Sequence, residues 1–233
     1  DSVRRVMEAE GARSILIDSL DEVAYMLNIR GGDVAYNPVT YAYLAVTAGK
    51  AILFIDSGKL PSEVKNYLRS AAVEVRPYED VEKWIASETG KAMMADPAKF
   101  SAYHRSLLPS DVKLVERTSP VAMMKCVKNE AEIQGERRAM LKDAVALAEF
   151  YRLAEEESEK NGWDEADLAD LVGRIRAKQP GYVSESFGAI VGFRENGAIV
   201  HYSPKKGTAK KISGSGMMLI DSGGQYTDGT TDI

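Results

Sequence analysis

Short apolar runs alternate with amphipathic stretches through the first half of the chain, and each change of rhythm predicts an element. Val3 and Met7 lie on one side of a short helix that ends near Gly11, after which Ser14-Ile15-Leu16-Ile17 reads as a strand. Leu20 to Leu27 has helical spacing. Tyr41 to Thr47 and Ala51 to Ile55 are apolar, β-branched runs on either side of Gly49-Lys50, the form of a hairpin. Pro61 suits the start of a helix whose Val64, Tyr67, Leu68 and Ala71 share a face. Val73 to Val75, Ala92 to Ala95 and Val112 to Val115 are further predicted strands, with helices over Val81 to Ser87 and Pro97 to Leu107 between them. Such alternation predicts a mixed sheet flanked by helices, an α/β domain.

The rhythm changes after Thr118-Ser119-Pro120, which places a domain boundary there, with domains at 1–119 and 120–233. Asn129 with Glu132 three residues on has the form of a capping box. Ile133, Met140, Ala144, Leu147, Tyr151 and Ala154 then recur at helical spacing, a stripe expected to face a core. Asn161-Gly162 ends that helix, and Asp164 caps another with Leu168, Leu171, Val172 and Ile175 on one side. From Phe187 onward strands are predicted at Ala189 to Val191, at Ala198 to Tyr202 and at the apolar run Met217 to Ile220, expected to be buried.

Composition narrows the field. At 233 residues, 45% hydrophobic and 28% charged, the chain has material for one large or two ordinary cores and no bias toward disorder. Thirty basic against thirty-five acidic residues, a net charge of −5, argue against general affinity for nucleic acid or anionic membrane. The single cysteine, Cys126, forms no internal disulfide, so a reducing, cytoplasmic compartment is the expectation. No run is apolar enough to span a bilayer, and Asp1 to Glu10 is a charged amphipathic stretch rather than a signal segment. The absence of an initiating Met suggests missing upstream sequence. Four other features are read as structural: Arg30 to Asp33 with Tyr36-Asn37-Pro38 as a corner, His104 as a surface residue, Cys126 as a packed small side chain, and Lys205 to Gly216 as a solvated loop without aromatics for stacking on bases.

Candidate chemistry concentrates in the run LIDSGGQYTDGTTDI, Leu219 to Ile233. Gly223-Gly224 and Asp228-Gly229 allow a reversal, and Thr230 to Ile233 follows as a short strand. A hairpin symmetric about the middle of Gln225–Asp228 sets Asp221 directly opposite Asp232, on one face. Two carboxylates so close raise each other's pKa unless a cation separates them, and hard oxygen ligands suit Mn, Mg, Ca or a catalytic Zn pair. A polar hairpin with solvated Asp residues is the competing reading.

That run resembles the first metal-ligand hairpin of the pita-bread metallopeptidases, and among them the eukaryotic X-prolyl aminopeptidases, or aminopeptidase P. Three further stretches resemble the same family in the same order: LDEVAYMLNIRGGDVAYNPV (Leu20 to Val39), MKCVKNEAEI (Met124 to Ile133) and NGAIVHYSP (Asn196 to Pro204). The resemblance implies a creatinase-like, ribonuclease H-like N-terminal domain without chemistry of its own, followed by the first half of a pita-bread catalytic domain. It implies Asp221 as a ligand to one metal ion, Asp232 as a carboxylate bridging two, and His201 as the histidine that contacts substrate near the scissile bond. The implied activity is release of the N-terminal residue from peptides with proline in second position, by a hydroxide activated between two manganese ions, in a homodimeric parent enzyme. The family's remaining ligands, a histidine and two glutamates, have no counterpart here, so the chain reads as a fragment, inactive and weakly metal-binding alone. Its missing C-terminal half is then disordered, proteolysed or supplied as another chain. Alternatives are a prolidase or creatinase relative and a non-catalytic pita-bread interaction module.

Overall fold

A computed structural model describes residues 1–233. Its packing divides into two compact units, Asp1–Val34 with Pro38–Val127 and Ala35–Asn37 with Lys128–Ile233.

In the first unit the apolar runs form one mixed sheet of β1 (Ser14–Ile17), β2 (Ala42–Thr47), β3 (Ala51–Ile55), β4 (Val73–Arg76), β5 (Ala92–Ala95) and β6 (Lys113–Glu116), in the order β4-β3-β2-β1-β5-β6. The β1–β2 and β2–β3 pairs are antiparallel and the others parallel. Both faces are covered, which is why these strands read as nearly continuous hydrophobic runs. Ile15, Ile17, Leu44, Val46, Leu53 and Ile55 enter one core, while their neighbours Leu16, Ala45, Ile52 and Phe54 enter the other. The helices are α1 (Ser2–Ala9), α2 (Leu20–Leu27), α3 (Ser62–Ser70), α4 (Asp80–Ala86), α5 (Ala102–Ser106) and α6 (Pro120–Cys126). Helix α6 belongs to this unit because Val121 is buried in its core, so the division falls between Val127 and Lys128.

Polar groups account for several departures from the predicted pattern. The helix expected from Pro97 shortens to α5, because the Asp96 carboxylate accepts from Ala98 N (3.0 Å) to form a turn and Ser101 Oγ caps the helix afresh at His104 N (3.0 Å). His104, expected on the surface, is 5% exposed, with its ring 5.0 Å from that of Tyr43, and burial lowers its pKa. Cys126, expected to be packed, is exposed. Asp33 turns the corner read at Arg30 to Asp33 by accepting from Lys59 Nζ (2.7 Å), Tyr41 N (2.8 Å) and Thr40 Oγ1 (2.7 Å), and those bonds hold its carboxyl down at about 2. At the end of β1, Glu22 is buried and accepts from Ser119 Oγ (2.5 Å) and from Lys99, while Asp96 accepts from Ser119 N (2.9 Å). Burial, reinforced by the Glu22 and Asp96 carboxylates, raises the neighbouring Asp18 to about 6.

The second unit is built on α7 (Glu130–Asn161) and α8 (Glu165–Arg176), each opened by a capping box, Asn129 with Glu132 and Asp164 with Asp167. Gly162, in the left-handed region, ends α7. The buried stripe of α7 is Gly135, Ala139, Asp143, Ala146, Leu147, Phe150, Ala154 and Ser158. Met140 (43% exposed), Ala144 and Tyr151 (45% exposed), assigned to the core from spacing, point outward. The displacement follows from Asp143, which lies at the centre of the true stripe. Its carboxylate receives Arg176 of α8 in a fork (Nε to Oδ1 2.5 Å, Nη2 to Oδ2 3.1 Å), and both residues are fully buried. Two short antiparallel pairs complete the unit: β7 (Tyr182–Glu185) with β10 (Gly224–Tyr226), and β8 (Ile190–Phe193) with β9 (Met218–Asp221). The run Met217 to Ile220 is not buried as expected, since Met217, just before β9, is 85% exposed and Leu219 within it 42%. The strand predicted at Ala198 to Tyr202 is instead a 3-10 turn, Arg194–Ala198, followed by a turn through His201.

Removing one member of the buried pair strands the other charge, so Arg176→Met is expected to cost about 3–5 kcal/mol in urea denaturation. The triple change Asp143→Leu, Arg176→Met, Tyr226→Phe, which leaves no orphan, should recover most of that loss. In the first unit, Asp18→Asn should gain about 1–2 kcal/mol above pH 7, allowing for partial exposure. Asp18 binds its proton more tightly folded than unfolded, so its ionisation penalty is complete above about 6 and absent below 3.8. The advantage of the variant should therefore vanish below pH 4.

Candidate active site

The run Leu219 to Ile233 does fold back on itself, two residues out of the expected register. Ser222 and Ile233 exchange both backbone hydrogen bonds (2.9 and 3.0 Å), Thr231 N donates to Gly224 O (2.9 Å), and Tyr226 N donates to Gly229 O (2.8 Å). Gly223, not Asp221, is therefore opposite Asp232, and the two carboxylates are diagonal neighbours, a relation that spans about 7–8 Å between Cα atoms. Thr230 of the returning arm bridges Gln225, and β10 pairs on its other edge with β7.

The shift traces to contacts that hold the tip of the hairpin on α7. Asp228 pairs with Lys142 and with Arg138 Nε (3.2 Å), and these bonds, Lys142 first, lower its pKa. Gly135 lets the tip come close, since a Cβ there would lie 2.3 Å from Asp228 O. Tyr226, buried, donates its hydroxyl to Asp143 Oδ1 (2.9 Å), joining the tip to the Asp143–Arg176 pair, and burial followed by that bond raises its pKa. The returning arm is fixed where Thr231 Oγ1 accepts from Gly224 N (2.9 Å) and Thr231 O accepts from Ser186 Oγ (2.8 Å).

Asp221 is half-buried and Asp232 exposed, and neither takes part in an ion pair or side-chain hydrogen bond. Two unpaired hard-oxygen donors on adjacent arms fit part of a divalent-cation shell. No third His, Cys, Asp or Glu joins them to form a complete ligand group.

His201 is exposed, and no hydrogen bond joins it to either aspartate. Its backbone is left-handed (φ 54°), uncommon for a residue with a Cβ. The turn is anchored at its neighbours: Tyr202 OH donates to Glu165 Oε2 (2.7 Å), and Asn196 Nδ2 reaches both oxygens of the same carboxylate (3.0 and 3.1 Å). Pattern reading passes over Glu165, Asp143 and Asp228, because their partners come from distant parts of the chain. The one local signal is a carboxylate in the first turn of a helix, which usually means only a favourable dipole.

Residues 1–132 match the Creatinase/Prolidase N-terminal domain and residues 134–233 match Metallopeptidase family M24. The chain belongs to the creatinase/prolidase family, with M24 sequence following its N-terminal domain. Among the proteins of this family it is 36% identical to Aminopeptidase P2 of Arabidopsis thaliana, over 100% of this chain and 37% of that protein. It is 37% identical to Xaa-Pro aminopeptidase 1 of Dictyostelium discoideum, over 99% of this chain and 37% of that protein. The fold superposes with a TM-score of 0.90 on X-prolyl aminopeptidase from Caenorhabditis elegans, a cytosolic enzyme with a di-nuclear active site, at 32% identity, covering 98% of this chain and 39% of that one. Prolidase from Pyrococcus horikoshii shares the fold (TM-score 0.71, 18% identity). The chain thus spans well under half the length of these aminopeptidases. A creatinase-like α/β domain followed by M24 sequence of the pita-bread type is its architecture.

In an ordinary helix Gly→Ala gains up to about 1 kcal/mol. At Gly135 the sign should reverse, because the new methyl would meet the Asp228 carbonyl, and we expect a loss of about 1–3 kcal/mol. Faster amide exchange at Tyr226 and Thr231 would report the displaced tip.

Proposed function

We propose that this chain contributes to a metallo-aminopeptidase that releases the N-terminal residue from peptides with proline in second position, within a reducing, cytosolic compartment. The observation that carries the reading is the likeness of this chain, along its whole length, to part of the Xaa-Pro aminopeptidases, coupled with two unpaired carboxylates on the hairpin. The first unit, which ends at Val127, is the accessory domain, and the second unit, from Lys128 to Ile233, is the first part of the catalytic domain. Asp221 and Asp232 would be the residues of this chain that hold the metal, with manganese the expected ion. Metal bound there would lower the pKa of water from about 15.7 toward 7, making a nucleophile available at neutral pH. The remaining ligands, a histidine and two glutamates, come from sequence outside these residues.

His201 contributes on the substrate side. Projecting from an exposed turn with no competing partner, its imidazole donates a hydrogen bond to the carbonyl oxygen of the residue before proline and to the negative charge that develops there. A left-handed residue at such a turn is a local strain of the kind that persists where function requires it. The parent enzyme is a homodimer in this reading, and nucleic acid and membrane are not partners.

Manganese-dependent release of the first residue from an X-Pro-Pro peptide tests the proposal. In the full-length protein, Asp221→Asn and Asp232→Asn should each lower kcat/KM at least about 100-fold. His201→Asn, which keeps a side chain tolerant of the left-handed turn, should cost about 10²–10³ in kcat. The 233-residue chain alone should be silent and bind manganese no tighter than about 10⁻⁴ M, the range of weak oxygen-ligand sites. Full activity in either aspartate variant would overturn the ligand assignment. Cleavage of X-Pro dipeptides in preference to longer peptides would move the reading to a prolidase.

A further inference from the structure

We propose that Glu165 is a positioning residue whose buried carboxylate fixes the turn that presents His201. The proposal rests on the reading of His201 as the group that faces substrate.

Glu165 is 0% exposed, and an isolated charge so placed would be prohibitively desolvated. Four donors compensate. Oε1 accepts from Phe193 N (2.7 Å) and Asn196 Nδ2 (3.0 Å), and Oε2 accepts from Tyr202 OH (2.7 Å), Lys210 N (2.9 Å) and again Asn196 (3.1 Å). Burial pushes the carboxyl up, but the bonds from Phe193, Lys210, Tyr202 and Asn196 more than reverse that and leave it below the ordinary range. The Tyr202 hydroxyl is correspondingly raised to about 12, first by its bond to Glu165 and then by burial.

Every one of these donors lies outside α8. That helix already has its own cap in Asp164 and Asp167, so the Glu165 side chain is not needed to start it. What it joins instead is the end of β8 at Phe193, the 3-10 turn at Asn196, the residue after His201, and the following loop at Lys210. The turn also lies flat on β8, since a Cβ on Gly192 would come within 2.8 Å of Gly197 N. His201 is thus held between fixed points on both sides while its own side chain stays unpartnered. A left-handed residue costs about 1–3 kcal/mol and persists only where its surroundings over-determine it.

Glu165→Gln tests this without changing volume. An amide has one acceptor oxygen, and its NH₂ would face donors, so bonds on one side of the side chain must break. In the 233-residue chain, hydrogen exchange read by mass spectrometry should rise at least about 10-fold in residues 193–202 while α7 is unchanged, and Tyr202 should ionise nearer 10 than 12. No change over that segment, or uniform acceleration through the whole second unit, would overturn the proposal. Should Glu165→Gln not fold, Tyr202→Phe removes only the link beside His201 and should give the same confined exchange. In the full-length enzyme Glu165→Gln should lower kcat about 10–100-fold with a smaller change in KM, and in a His201→Asn background it should add less than about 2-fold. Additive losses would mean that Glu165 does not act through His201. An unaltered kcat in His201→Asn alone would sink the role of His201, with the exchange result still deciding whether Glu165 holds the turn.

Discussion

The second unit depends on one buried ion pair. Asp143 and Arg176 sit on different helices with no water to screen them, and each would be intolerable without the other. Their fork fixes which face of α7 meets α8. Through the Tyr226 hydroxyl the same carboxylate reaches the hairpin, so the position of the candidate metal ligands is linked to helix packing.

Two sets of carboxylates in this unit contrast. Asp143, Glu165 and Asp228 are each engaged by several donors, and each joins segments remote in sequence. Asp221 and Asp232 are engaged by none. A carboxylate saturated by protein donors has little capacity left for a metal, whereas an unpaired one keeps its oxygens free for a cation. In the proposed reading, structural and ligand roles are divided in this way among residues of the same chemistry.

The first unit shows the same economy of charge in another form. Its sheet is covered on both faces, and the polar groups that must be buried gather at the end of β1, where Ser119, Lys99 and backbone amides meet Glu22 and Asp96. Asp18 beside them is the least compensated, which is why its proton is held to about 6.

The sequence by itself determined what depends on neighbours within a turn or a strand. The mixed sheet, the capping box at Asn129, the N-cap at Asp164, the end of α7 at Gly162 and the buried face of α8 were all legible, because apolar period and capping chemistry act over a few residues. The resemblance in four ordered stretches likewise pointed to the metallopeptidase family. Tertiary structure decided the rest, wherever a distant partner outweighed local preference. Asp143 turned the buried stripe of α7 by one residue, toward Arg176. Asp228 and Gly135 set the hairpin register two residues from the symmetric one, since docking the tip on α7 outweighs symmetry within the loop. The stretch at Ala198 to Tyr202 has the alternation of a strand, yet it turns because Glu165 draws Asn196 and Tyr202 onto one carboxylate, an attraction that no local pattern records.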